Sequence, residues 1–571
     1  MIHRILLLAL AAALPARAAS SIAPAPVKPA AWKDAPRKPL LPAEVDALLE
    51  RELEKAGLKP AAVVGDAQFL RRATLDLWGR PPKPAELEAF LKDTSADKRA
   101  KIIDKMLESD LYARNWASYW QEVMGARLVG FEGRILARPF QRWMAEQLKK
   151  NRPWSGITRD LLTASGVAKY DDSDGKTGPA YFLASHRGTD AVTEQAAETA
   201  RVFMGIQINC AQCHDHPFDS WKQVQFHELA AYFARVRTRL VRDPESEQIR
   251  FIGLELASVD RGGFGMGMRP GMGGRFGGGE YRMPAKDGMR GGGTVVHPRA
   301  LDGKAPAKGL KDADRRKALA DSVTSKDNHW FAAAYANRVW GVLLGQSFYG
   351  QPDDLGPQRE AVHGGTLARL ASSFAATDYD MKAFFRLVMN TKAYQRESRI
   401  GETRGEHLLF AHSYPARLRA GAVHQSLINT LGDLPGGGFG GGGRGMMGPG
   451  GRFGFGGGVE GQIRTEFGFD PSLKNDDVES SIPQALILMN SPAIHQKIRA
   501  TGTNFLAKAL EKHKDDGPAL EAVYAQALQR KPTAREQSRA LSYVAKVGKR
   551  AEAFEDILWA IINSVEFQTR R

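Results

Sequence analysis

Cysteine is nearly absent from this chain, with two among 571 residues. Both fall in Cys210-Ala211-Gln212-Cys213-His214, which excludes a disulfide framework and leaves stability to an apolar core. With 43% hydrophobic residues, the chain can bury one as two or three domains. Long apolar runs are missing beyond the N-terminus, and none approaches the roughly 18 residues a membrane-spanning helix needs. Strand signals are few and short. There is no Gly-x-Ser-x-Gly elbow, no Gly-x-x-x-x-Gly-Lys loop and no His-Glu-x-x-His helix, so those hydrolase, nucleotide and metalloprotease signatures do not apply. Asp353-Asp354 and Asn475-Asp476-Asp477 could hold calcium or act on a glycan, although such loop pairs more commonly form turns.

The N-terminus carries a targeting pattern. Met1-Ile2-His3-Arg4 is basic, Ile5 to Leu14 is apolar but too short to span a bilayer, and Ala16-Arg17-Ala18 is a small-x-small cleavage site. Residues 1–18 are therefore read as a removed signal peptide, and the mature chain is expected at the periplasm or cell surface without a transmembrane anchor. The formal net charge of +16 would attract acidic partners, such as anionic polysaccharide or lipid headgroups. Export argues against nucleic acid. A surface that is simply basic explains the charge equally well.

The cysteine spacing carries the most chemistry. Two thiols three residues apart can each add to one vinyl group of a single porphyrin, and the adjacent imidazole then lies under the iron. This makes Cys210, Cys213 and His214 the expected attachment site of one haem c, with His214 the axial ligand of the iron. The expected function is periplasmic or cell-surface redox chemistry with an electron-transfer partner. Asp215 and Asp219 could orient His214 or His216 by accepting an imidazole proton, or could cap the following helix. Phe203, Ile206, Ile208, Phe218, Trp221 and Phe226 could wall a porphyrin or belong to an ordinary core. His216 and His227 lie too near along the chain for the opposite axial position; His186, His329, His363, His412, His424 and His495 are more distant candidates, and Met266, Met268 and Met272 offer thioethers. Two other readings use the same residues. Cys210, Cys213, His214 and His216 could form a structural zinc site in a non-redox, polysaccharide-associated protein, and the two cysteines could act as a dithiol pair.

Two low-complexity stretches, Arg261 to Gly293 and Pro435 to Gly458, are dominated by Gly and are expected to be long disordered loops. Elsewhere the pattern is helical. Pro84 to Leu91 opens with Pro and acids, Asp97 to Glu108 spaces Ile102, Ile103, Met106 and Leu107 along one face, and Thr193–Gly205 and Phe226–Val236 flank the cysteine motif. Helices are also expected over 331–344, 366–374, 381–391, 482–489 and 519–528, and Thr533-Ala534-Arg535-Glu536 is a capping box. Gly79-Arg80-Pro81-Pro82-Lys83-Pro84-Ala85-Glu86 is echoed by Gln529-Arg530-Lys531-Pro532-Thr533-Ala534-Arg535-Glu536, as a shared helix-start grammar or a duplication.

Several motifs in order carry a resemblance. Arg71-Arg72-Ala73-Thr74-Leu75-Asp76-Leu77-Trp78-Gly79-Arg80-Pro81-Pro82, Ala200-Arg201-Val202-Phe203-Met204-Gly205 and Cys210 to Asp219 resemble the exported cytochrome-like domain of unknown function abundant in planctomycetes. Ala336-Asn337-Arg338-Val339-Trp340, Asp353-Asp354-Leu355-Gly356, Thr391-Lys392-Ala393-Tyr394-Gln395, Pro483-Gln484-Ala485-Leu486 and Asp556 to Phe567 are similar to its usual C-terminal partner domain. The separate cytochrome domain that often precedes the pair is missing, which leaves one candidate haem site. The resemblance implies export and a haem or redox association, and it supplies no substrate. The expected organisation is mainly α: a signal peptide (1–18), a cytochrome-like domain (42–237), a Gly-rich linker or insertion (238–311) and a C-terminal helical domain (312–570) with a Gly-rich loop (435–458). Two helix-rich domains are thus joined by a long Gly-rich disordered loop, with few short strands.

Overall fold

The computed structural model describes residues 23–125, 131–172, 174–186, 188, 190–246, 251–260, 280–284, 293–399, 409–434, 458–475, 478 and 480–571. The signal segment, most of both Gly-rich stretches with Met266, Met268 and Met272, and the carboxylates of Asp476 and Asp477 lie outside the described residues. The fold is mainly helical, with 58% helix against 8% strand.

The expected helices form, with shifts of a few residues at their ends: Pro84–Lys92, Lys98–Leu107, Ala191–Met204, His329–Leu344, Gly364–Ala376, Met381–Met389, Ile482–Asn490 and Asp516–Leu528. The Lys98–Leu107 helix buries Ile103, Met106 and Leu107, the stripe its spacing presents. The stretch after the cysteine motif behaves differently. Its α-helix covers Gln223–Ala230, a single 3₁₀ turn follows, and the chain becomes a strand at Val236.

That strand, Val236–Arg242, pairs antiparallel with Phe251–Ser258, which pairs in turn with Gly166–Lys169. A second ribbon joins Tyr281–Met283 to Thr294–Val296. The described part of 238–311 is thus partly built into sheet. The cause is legible in Val236-Arg237-Thr238-Arg239-Leu240, whose alternation suits a half-buried strand.

The echoed segments are one construction used twice. Helix Asp66–Trp78 ends on Gly79 at φ 66, and helix Asp516–Leu528 ends on Gln529 at φ 55. Gly79 has no alternative, because a Cβ there would lie 2.5 Å from Asn115 Oδ1. The next residue in each copy, Arg80 or Arg530, donates to both carboxylate oxygens of Glu86 or Glu536, at 2.7 to 2.8 Å. The same glutamates accept the N–H of Lys83 (2.8 Å) and Thr533 (2.7 Å), which open helices Pro84–Lys92 and Ala534–Val547. The copies also touch each other: Arg71 donates to the side chain of Gln529.

A shorter unit recurs three times. Ser109, Thr391 and Ser564 each donate to the carbonyl three residues earlier (Met106, Val388 and Ile561, at 2.8, 2.7 and 2.6 Å). Each hydroxyl also accepts the N–H of the aromatic residue three positions later (Tyr112, Tyr394 and Phe567, at 3.3, 3.1 and 3.2 Å). The three aromatic rings are buried. One hydroxyl therefore ends one helix, starts the next and seats a core ring.

Apolar residues gather into two large clusters. The first runs from Leu40 to Phe410 and includes stacked Trp120 and Trp154 (4.2 Å) and stacked Tyr335 and Phe374 (4.4 Å), drawing on both sides of the 238–311 segment. The second holds Leu418 to Phe567 together with Leu75. Arg201 ties these parts through polar contacts. It bonds Glu198 (2.9 Å), Asp353 (2.8 Å), the Ser472 hydroxyl (2.8 Å) and the Val123 carbonyl (2.6 Å), and Asp353 also pairs with Arg338. Such a buried cluster holds together only because each charge has partners.

Candidate functional site

The cysteine motif follows the most deeply packed helix of the N-terminal part. Ala191–Met204 buries nearly every side chain and closes on Gly205 at φ 68. Gly205 N–H donates to Arg201 O (3.0 Å), and the Gly205 carbonyl accepts from Leu355 N–H (2.8 Å). Ile206 and Ile208 plug the core, and a 3₁₀ turn, Ile208–Gln212, follows with Ala211 buried. A turn that puts Ile208 and Ala211 inside turns Cys210 and Cys213 outward. Both thiols are exposed and free.

His214 is also exposed, and its Nδ1–H donates to the Asp215 carbonyl at 2.7 Å. A carbonyl can only accept, so in the neutral ring this bond selects the tautomer whose lone pair is on Nε2. The orienting group expected from a carboxylate is therefore the backbone of Asp215. The carboxylate itself accepts Gln223 N–H (2.9 Å) and meets Lys222 Nζ (3.0 Å), at the start of helix Gln223–Ala230. Asp219 is buried, and its Oδ1 accepts the N–H of Ser220 (2.6 Å) and of Gln358 (3.3 Å). Asp215 thus holds the start of the following helix, whereas Asp219 binds backbone at Ser220 and Gln358, away from any helix start.

His216 takes no part in an open ligand set. It is buried, its Nε2–H donates to Gln207 O (3.2 Å), and its Nδ1 accepts Phe218 N–H (3.2 Å). With both ring nitrogens bonded to backbone, it is not gathered with Cys210, Cys213 and His214 as the zinc reading requires. Among the described residues, no group of three or more His, Cys, Asp or Glu is placed to hold a metal ion.

His227 supports the loop. It is fully buried, its Nε2–H donates to Gln212 O (2.9 Å), and its Nδ1 accepts the Tyr281 hydroxyl (2.9 Å). Gln223 adds a second brace by donating to Cys213 O (3.0 Å). Spacing alone points to neither, since His227 and Gln223 act on backbone carbonyls and Tyr281 reaches His227 from a different element.

The expected porphyrin walls divide. Phe203, Ile206, Ile208, Trp221 and Phe226 are buried in the ordinary core, whereas Phe218 is 68% exposed. The Arg359 guanidinium lies 5.9 Å from the Phe218 ring centre and pairs with Asp354 (2.9 Å). Burial raises the Asp354 carboxyl above its ordinary range against the pull of Arg359, and nearby Asp219 raises it further. The distant histidines are engaged elsewhere. His186 faces Glu194 (3.4 Å), His329 stacks on Trp32 (4.7 Å), His363 packs on Phe410, His412 bonds Ser413 O (2.9 Å) and His495 bonds Met489 O (2.5 Å). His424 is half-buried on helix Ala420–Leu431.

A cavity of about 780 Å³ opens beside Asp354 and Arg359, lined also by Asp76, Trp116, Tyr349, Arg417 and Lys474. Cys210, Cys213 and His214 do not line it. No helix among the described residues is long and apolar enough to cross a membrane.

Residues 44–238 match the family PSCyt2, a protein of unknown function (DUF1549), and residues 315–441 match PSD1, a protein of unknown function (DUF1553). Their order is the one the motifs imply. No curated protein and no solved structure matches the chain.

Proposed function

Since the chain is a PSCyt2 domain followed by a PSD1 domain, we propose that it is an exported protein carrying one covalently attached c-type haem at Cys210 and Cys213, with His214 as axial ligand. The observation that carries this reading is the state of the three side chains. Both thiols are free and exposed on one short turn, and the adjacent imidazole is held in the tautomer whose Nε2 can coordinate iron. The donor set thus suits the group. A bound haem would supply one-electron transfer at its iron.

The chain's own residues hold the turn. His227 and Gln223 fix the carbonyls of Gln212 and Cys213, which would keep both thiols directed outward toward the vinyl groups of a haem. Phe218 and Val224, 68% and 41% exposed, offer apolar cover beside the motif, and Arg359 adds a cation. The signal-like N-terminus supports export, where such attachment takes place, and a periplasmic or cell-surface redox partner is the expected electron acceptor or donor.

Purification from a host with cytochrome maturation tests this. A Soret band and a pyridine haemochrome that survive denaturation are expected, and Cys213→Ala should lose double attachment. Protein recovered without covalent porphyrin, or normal loading of Cys213→Ala, overturns the assignment.

A further inference from the structure

The 780 Å³ cavity is within the size range of small-ligand sites. Its walls come from segments far apart in sequence: helix Asp66–Trp78, helix Asp110–Gly125, and residues near 345–360, 416–422, 469–475 and 570. Five cations line it, Arg359, Arg417, Arg419, Lys474 and Arg570, against the carboxylates Asp76, Asp354 and Glu360.

Three of the cations are already neutralised. Arg359 pairs with Asp354 (2.9 Å), Arg419 with Glu122 (3.0 Å) and Arg570 with Asp76 (2.7 Å). Arg417 and Lys474 form no ion pair among the described residues, and Lys474 acts on the Asp354 carboxylate only at longer range. Among the described residues Arg417 reaches the Ser480 hydroxyl alone, and partial burial lowers its pKa. The amides of Gln346, Gln358 and Asn475 add further polar groups, with aromatic and aliphatic wall between them.

We propose that this cavity binds an acidic oligosaccharide, with Arg417 and Lys474 taking its anionic groups and the Gln346 and Gln358 amides its hydroxyls. Sugars fit a wall that alternates apolar surface with neutral hydrogen-bonding groups, and the anionic substituents answer the two unpaired cations. Uronate and sulfated sugars share this chemistry. The site is separate from the cysteine motif, so it stands whether or not haem is attached.

Calorimetry on the full chain tests it with three probes: a galacturonan tetrasaccharide, a heparin-derived tetrasaccharide and neutral maltotetraose. Binding of the uronate or the sulfated probe is expected, which also tells the two sources apart, with none for maltotetraose. Arg417→Gln/Lys474→Gln should weaken binding at least tenfold. Lys59→Ala/Lys308→Ala removes the same charge from exposed positions outside the cavity and should leave affinity unchanged. Failure of both acidic probes, equal binding of maltotetraose, or equal loss in the Lys59/Lys308 variant overturns the proposal. Lys474→Gln alone, at an exposed position, keeps the test decisive if the double variant folds poorly.

Discussion

The carboxylate of Asp219 lies so close to the α-carbon of Gly356 that a methyl group there would overlap it. Asp219 ends the cysteine-motif loop, and Gly356 belongs to the Asp353-Asp354-Leu355-Gly356 segment of the second matched region, so this contact seats one family's signature on the other's. Gly356→Ala should destabilise the chain by about 1–3 kcal/mol through overpacking. Asp219→Ala removes the obstacle, so the double variant should be more stable than the two single losses added together. Urea denaturation of the four proteins gives the coupling; additivity within about 0.5 kcal/mol contradicts the contact.

The repeated hydroxyls should behave alike. Ser109→Ala, Thr391→Ala and Ser564→Ala are each expected to cost about 1 kcal/mol, because each removes the acceptor for the aromatic residue's N–H. Thr391→Ala should cost most, since Thr391 and Tyr394 are both fully buried and the freed N–H finds no water. Ser109→Thr and Ser564→Thr keep the oxygen and should be near neutral. Melting curves of the five variants check the order.

His329 should make stability pH-dependent. Burial pushes its pKa down to about 4 from an ordinary 6.5. The folded state therefore favours the neutral ring, so this contribution is complete above about pH 6.5 and is lost as pH falls towards 4. His329→Phe keeps a ring between Trp32 (4.7 Å) and Trp330 (4.4 Å) and removes the titration. Its melting temperature should fall less than wild type between pH 7 and 4.5. Some slope should persist, because His363 is also lowered to about 4 by burial. An unchanged slope would contradict the role of His329.

Much of this fold can be read along the chain, because helical periodicity is local. Ile102, Ile103, Met106 and Leu107 announce their helix without help from elsewhere. The sheet of residues 236–258 is harder, since its alternation sits beside a Gly-rich tract whose composition suggests a linker. In the candidate site, the spacing of Cys210, Cys213 and His214 names the three chemical groups but not what steadies them. The orienting acceptor is the Asp215 carbonyl, a group every residue possesses, so no side-chain pattern points to it. Tyr281 and Gly356 reach the loop from distant segments. The cavity is less visible still, because Asp76, Tyr349, Arg417 and Lys474 become neighbours only through tertiary packing.

The first apolar cluster, shared by residues from Leu40 to Phe410, has a consequence for inheritance. Trp154 meets Tyr335, and Arg201 meets Asp353, across the gap between the two matched regions. Each region therefore serves as the other's shield from water, and a gene encoding either alone would release a chain with its aromatic flank bare. Two families recognised separately by their motifs here share one apolar core, and this gives a physical reason for them to be transmitted side by side in a fixed order.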